Sequence, residues 1–137
     1  MLKPAGLEAL EARLGYWFRD PALLRRALVH RSAGDRQHGD NERLEFLGDR
    51  VLGLAAADLL WRRFQAEPEG GLSKRYVALV RRETLAEVGK AWDLGNAMVM
   101  APGDAAAGGR TNPALLADAV EAVIGAVYAD GGYEAAR

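Results

Sequence analysis

The sequence predicts an all-α domain, and three observations carry that expectation. Apolar residues recur at helical spacing, as at Leu7, Leu10 and Leu14. Two segments, Asp20-Pro21 and Asn112-Pro113, place a capping side chain before a proline suited to a first helical turn. No run of useful length alternates apolar and polar residues as a half-buried strand would, and there is no internal repeat.

The elements follow in order. Leu7, Leu10 and Leu14 mark one face of a first helix, which Gly15 stops. Asp20-Pro21 opens a second helix predicted to run to about Arg31, with Leu24 and Leu28 on its apolar face. A polar loop from Ala33 to Asp40 leads into a long proline-free helix, about Asn41 to Phe64. Glu67-Pro68-Glu69-Gly70-Gly71 breaks it, and Ser73 is the expected N-cap of a helix reaching Arg81 or Arg82. Leu85, Val88 and Trp92 mark another helical face. Residues 93–111, with Pro102, Gly103, Gly108 and Gly109, read as loop. Asn112-Pro113 starts a last long helix that Gly131-Gly132 ends, and Tyr133–Arg137 reads as the first turn of a further helix, cut short.

Composition narrows the function. A chain of 137 residues is one ordinary domain, able to bury a core without covalent staples. The absence of Cys excludes disulfides, zinc–thiolate sites, iron–sulfur clusters and Cys nucleophiles. Only His30 and His38 are histidines, which excludes a multi-His metal site. No targeting segment is recognisable at the N-terminus, and the best membrane candidate, Thr111–Tyr128, is too short and carries Asp118 and Glu121. The expectation is a soluble protein of a reducing compartment, the cytoplasm. The net charge of −1 at first argues against a polyanion partner. It hides an asymmetry, however. Sixteen of 18 basic and 13 of 19 acidic residues precede residue 93, leaving +3 there and −4 beyond.

The unusual acids lie on the two longest helices. With Glu42 at 0° on a wheel of about 100° per residue, Glu45 falls near 300° and Asp49 near 340°. Leu52, Ala56 and Leu60 continue that stripe, and Asp58 is the only charge from Val51 to Trp61. A helix this apolar is expected to be buried. On the last helix, Asp118 and Glu121 are the only charges between Ala114 and Ala129. They share a face with Ala114 and Gly125, so little bulk covers them, opposite an apolar surface of Leu116, Val120, Val123 and Val127. Solvated surface acids, or acids salt-bridged to Arg43 or Arg50, are the ordinary alternatives. Like charges buried together need protons or cations, and a hard divalent cation accepts oxygen ligands alone.

Asn41-Glu42-Arg43-Leu44-Glu45-Phe46-Leu47-Gly48-Asp49 resembles the signature helix of the ribonuclease III family of double-stranded RNA endonucleases, in its classical bacterial form. His30-Arg31-Ser32 resembles the segment before that signature, Glu69-Gly70-Gly71-Leu72-Ser73 the acidic loop and helix start after it, and Leu116–Ala122 the second acidic motif. The resemblance covers nearly the whole chain. It implies the ribonuclease III endonuclease-domain fold: an all-α, bundle-like arrangement with a long central signature helix. It implies a homodimer that cleaves double-stranded RNA with Mg²⁺, for which Mn²⁺ can substitute, in rRNA and mRNA processing. The expected products carry a 5′-phosphate and a 3′-hydroxyl, with short 3′ overhangs. Carried onto this chain, Glu45, Asp118 and Glu121 are the metal ligands, and Asp49 and Glu121 are catalytic. Glu42 and Glu69 are auxiliary acids, and Phe46 is the aromatic that enters a pocket of the partner subunit. Without these six acids the rest of the chain carries +5.

Residues 1–137 are expected to be the nuclease domain alone, without the family's double-stranded RNA-binding domain and with a truncated C-terminal helix. Arg25-Arg26, Arg31, Arg36, Arg62-Arg63, Lys74-Arg75 and Arg81-Arg82 are candidate phosphate contacts. Trp17, Trp61 and Trp92 are expected in a core or interface, and His30 in a structural role. Two other readings stand beside the endonuclease. One is a catalytically silent RNA-binding or ribosome-associated relative of the same fold. The other is a metal-storing or redox bundle, which would need Glu-x-x-His pairs that this sequence lacks.

Overall fold

The structure, a computed structural model, describes residues 4–34, 39–100, 102–103 and 108–136. Among these, α1 spans Pro4–Leu14, α2 Pro21–Ala27, α3 Glu42–Arg63 and α4 Glu69–Val80. Then follow α5 (Arg82–Ala91), α6 (Leu94–Ala97), α7 (Pro113–Gly131) and α8 (Tyr133–Ala136). Short 3-10 turns cover Arg31–Ala33 and Gly109–Thr111. The described residues contain no strand; an isolated parallel bridge joins Val29 and Val99. None of their helices is long and apolar enough to cross a membrane. His38, Arg36 and Arg137 lie outside the described residues.

The centre of the core is α7. Asn112 caps it, its Oδ1 accepting from the Ala114 amide at 2.9 Å, and Pro113 fills the first turn as expected. Leu116, Val120 and Val123 are almost completely buried, together with Leu10, Leu24, Leu28 and Leu94 from other elements. Helices α2, α3 and α5 pack around α7. At its far end the Asp130 carboxylate accepts from the Tyr16 hydroxyl at 2.6 Å and from the amides of Arg19 and Asp20 at 2.8 and 2.9 Å. One side chain thus ties the end of α7 to the corner between α1 and α2.

Helix α3 approaches α7 unusually closely because of two glycines. A Cβ at Gly48 would overlap the Glu121 carbonyl oxygen, and one at Gly125 would overlap that of Leu44. The two backbones therefore touch with no side chain between them.

The structure corrects several boundaries. Helix α2 stops at Ala27, four residues short of the expected end, because Val29 and His30 turn extended to bond elsewhere. The His30 amide donates to Val99 O at 2.8 Å, and Asn41 donates to Val29 O at 3.0 Å and, through Nδ2, to Ala27 O at 3.2 Å. Helix α4 starts at Glu69 rather than after Ser73. Pro68 sets the entry, with φ −71°, and Glu69 places negative charge at the helix N-terminus. Ser73 sits inside the helix and donates to Glu69 Oε1 at 2.8 Å. The segment 93–111 is not all loop: it holds α6 and a 3-10 turn, drawn together by Arg110, whose Nη1 donates to Gly95 O and Met98 O at 2.9 and 2.7 Å.

The expected burial of α3 holds on one side only. Leu44, Val51, Ala56 and Leu60 are buried, whereas Phe46, Leu54, Leu59 and Trp61 are exposed. Trp17 is exposed too, and Trp92 packs against the core.

Candidate active site

The crossing of α3 and α7 brings the predicted acids together. Glu45 and Asp49 flank Gly48 on the first turns of α3, and Asp118 and Glu121 precede Gly125 on α7. Carboxylate oxygens of Glu45, Asp118 and Glu121 lie within 4.8 Å of one another, each side chain half-buried. Together with Glu42, Phe46, Asp49, Arg31 and Arg50 they line an open cleft of about 420 Å³.

Electrostatics in this cleft are those of crowded acids. Burial, then the neighbouring Asp118, pushes the Glu45 carboxyl up to about 7. Burial first, then hydrogen bonding and repulsion from Asp49, pushes Glu121 up to about 8. Asp118 is raised by burial, which outweighs the hydrogen bond from Glu45 and the positive charges of Arg82, Arg31 and His30. Burial and crowding thus raise the affinity of Glu45 and Glu121 for protons above that of ordinary carboxyls, with Asp118 beside Glu45 and Asp49 beside Glu121. Where protons hold such a cluster together, a cation can replace them. The donor set is all carboxylate oxygen, which fits Mg²⁺ or Mn²⁺ and not a soft metal.

Salt bridging does not account for the cluster. Glu45, Asp118 and Glu121 make no ion pair among the described residues, and Arg43 does not line the cleft. Arg50 pairs with its chain neighbour Asp49 and lies over the Phe46 ring at 4.6 Å. Glu42 lines the cleft and is exposed. Glu69 is not brought to it: it sits at the start of α4, bonded to Ser73. Phe46 is 63% exposed at the cleft's edge.

Three residues play parts that spacing alone does not reveal. Gly48 lies beside the acid stripe, near 240° on the same wheel, and its meaning is the close backbone approach. Gly125 leaves the acids room, as expected, but the space is taken by α3 itself. Arg31 was expected on an RNA surface and stands inside the cleft. His30, for its part, is structural: its Nδ1 accepts from the Ser32 amide at 3.2 Å and caps the turn carrying Arg31.

The family model for the Ribonuclease-III-like domain matches residues 20–137. The chain belongs to the ribonuclease III family. It is 53% identical to a ribonuclease 3 of Jannaschia over 99% of its length and 47% identical to that of Vibrio campbellii over 96%. It spans only 60% and 57% of these two relatives. Among solved structures, two of the nuclease domain of ribonuclease III from Campylobacter jejuni superpose with TM-scores of 0.90 and 0.88, each at 41% identity. The first covers 95% of this chain and 90% of the Campylobacter chain, and is described for flexibility in a region involved in dimer formation. The second covers 94% of this chain and 86% of that one.

Proposed function

We propose that this chain is the catalytic domain of a double-stranded RNA endonuclease that works as a homodimer with Mg²⁺. The observation that carries the reading is the convergence of Glu45, Asp118 and Glu121, with Asp49 beside them, at the backbone crossing of α3 and α7. Two helices fixed at such a crossing hold the acids without help from flexible loops.

Glu45, Asp118 and Glu121 would hold the metal. When bound, Mg²⁺ makes hydroxide available near neutral pH and stabilises charge developing on a phosphate. Asp49 stands at the rim of the cluster, where its carboxylate can orient the attacking water and accept its proton. Glu42 adds negative charge at the mouth and an outer hydrogen-bond acceptor. Hydrolysis of the 3′ O–P bond leaves a 5′-phosphate and a 3′-hydroxyl. Two such clefts on a symmetric dimer would cut both strands and leave short 3′ overhangs.

The exposed side of α3 supports self-association. Phe46, Leu54 and Trp61 fall within about 80° of one another around the helix, and Phe46 adjoins the cleft. A second copy on this face would bury the aromatic and set the two clefts in a fixed relation. Processing of rRNA and mRNA in the cytoplasm fits the bacterial relatives.

The test is cleavage of duplex RNA in Mg²⁺, in Ca²⁺ or with chelator, by the wild type and Glu121→Ala. Cleavage is expected for the wild type in Mg²⁺ alone. Duplex binding without metal-dependent cleavage would instead support a silent RNA-binding relative, and equal cleavage by the variant would overturn the site.

A further inference from the structure

An arginine inside a metal-binding acidic cleft needs a reason, since a cation there opposes the cation the acids would hold. Arg31 lines the same cleft as Glu45, Asp49, Asp118 and Glu121. The cleft sets it among acids of both helices, Glu45 and Asp49 of α3 and Asp118 and Glu121 of α7. No ion pair among the described residues holds its guanidinium, and the residue is exposed. The other lining cation, Arg50, is committed to Asp49 and the Phe46 ring.

The backbone under Arg31 is fixed to the site. His30 donates its amide to Val99 O at 2.8 Å and accepts the Ser32 amide on its ring, which fixes the turn. One residue back, Val29 O accepts from the amide of Asn41, and Ala27 O accepts from Asn41 Nδ2. Asn41, only 4% exposed, is the residue that opens α3, and its carbonyl accepts from the Glu45 amide at 2.8 Å. A short chain of hydrogen bonds thus joins the Arg31 turn to the backbone of Glu45. The long, exposed side chain extends from a root that is held.

Resting on the nuclease reading, we propose that Arg31 binds a phosphate of the RNA strand beside the metal cluster and positions the scissile phosphodiester. In the metal-free cleft the guanidinium compensates the acids. A divalent cation takes over that role, and Arg31 becomes available to a non-bridging phosphate oxygen. Arginine suits the task because its planar fork offers paired donors and stays charged at every working pH.

The experiment compares the wild type, Arg31→Ala, Arg31→Lys and the surface control Lys90→Ala. A duplex RNA with one cleavage site is cut in Mg²⁺ to give kcat and KM. Binding of that duplex in Ca²⁺ is followed against salt concentration, Mn²⁺ affinity is measured by calorimetry, and Tm is recorded. Arg31→Ala is expected to lose about 10- to 100-fold in kcat/KM, as one charge-assisted contact would. Its salt slope for duplex binding should shrink by about one phosphate contact. Arg31→Lys should recover part of both. Mn²⁺ affinity should hold or rise, since a competing cation leaves the acidic cluster; Tm in saturating Mn²⁺ should hold, and Lys90→Ala should match the wild type. Unchanged kcat/KM and salt slope in Arg31→Ala would overturn the proposal, as would a loss that follows a fall in Tm or in Mn²⁺ affinity. If the wild type does not cleave, the nuclease reading fails, and the salt slope in Ca²⁺ still decides whether Arg31 meets a phosphate.

Discussion

Helices α7 and α4 are both rich in apolar residues, yet they occupy opposite environments. In α7, Leu116, Ala119, Val120, Ala122, Val123 and Ala126 are all buried. In α4 no residue is buried, and Val77 and Leu79 face outward. The difference separates two tasks. Helix α7 is enclosed on several sides and holds half of an acid cluster at a fixed position. Helix α4 packs against α3 near Gly53, through the Tyr76 hydroxyl, and offers its other faces to solvent or to a partner. Changes that touch α7 or its crossing should therefore be severe, and changes on α4 or the outer face of α3 should spare the fold.

The largest effect is expected from Gly48→Ala. Its methyl would enter the Glu121 backbone and force α3 from α7, at a cost of about 4 kcal/mol or more. Urea unfolding should show a collapsed midpoint or no cooperative transition; a midpoint like that of the wild type would refute the close approach.

Next comes Glu121→Gln, which should lower RNA cleavage by about 10²–10³-fold, the range for loss of one preorganised charge-stabilising group. The same variant should be more stable without metal at pH 8. Between the ordinary carboxyl value of 4.5 and about 8, the folded state keeps a proton on Glu121 that the unfolded chain has lost. Stability therefore falls as pH rises through that window. A neutral Gln removes the penalty, and a gain of about 1 kcal/mol would raise Tm by about 3 °C or more. A lower Tm at pH 8 than the wild type would contradict this sign.

Much of this was legible in the sequence. The acids on otherwise apolar helices, and the capped starts of α2 and α7, needed only spacing and side-chain chemistry. What was not legible depended on neighbours. Ser73 has the chemistry of an N-cap, but Pro68 already takes the N-cap position of α4 five residues earlier. The early end of α2 depends on hydrogen bonds to Val99 and Asn41, remote in sequence. The apolar all-round pattern of α3 points to burial, and periodicity does not separate core positions from exposed apolar ones such as Phe46, Leu54 and Trp61. Glu69 matched a motif, yet within one chain it lies outside the cleft.

Trp61 sharpens that last distinction. It is 72% exposed, so Trp61→Glu should leave far-UV circular dichroism and monomer folding nearly unchanged. In sedimentation velocity it should shift a dimer towards monomer at micromolar concentration. An unaltered dimer would place the partner elsewhere.

The smallest effect is expected on α4. A Cβ at Gly70 meets nothing within 4 Å, so Gly70→Ala should raise stability by up to about 1 kcal/mol through helix propensity. A marked loss in Tm would mean that the start of α4 is packed more tightly than its exposure shows.

The crossing of α3 and α7 is proposed to build a divalent-cation site. Calorimetric titration of Mg²⁺ into the wild type and Asp118→Asn, at about pH 6.5 and about pH 8.5, tests it most directly. Saturable binding is expected, releasing protons, tighter at the higher pH because Glu45 and Glu121 must lose theirs, and about tenfold or more weaker in the variant. Absent binding, or binding that ignores both pH and Asp118→Asn, would contradict it.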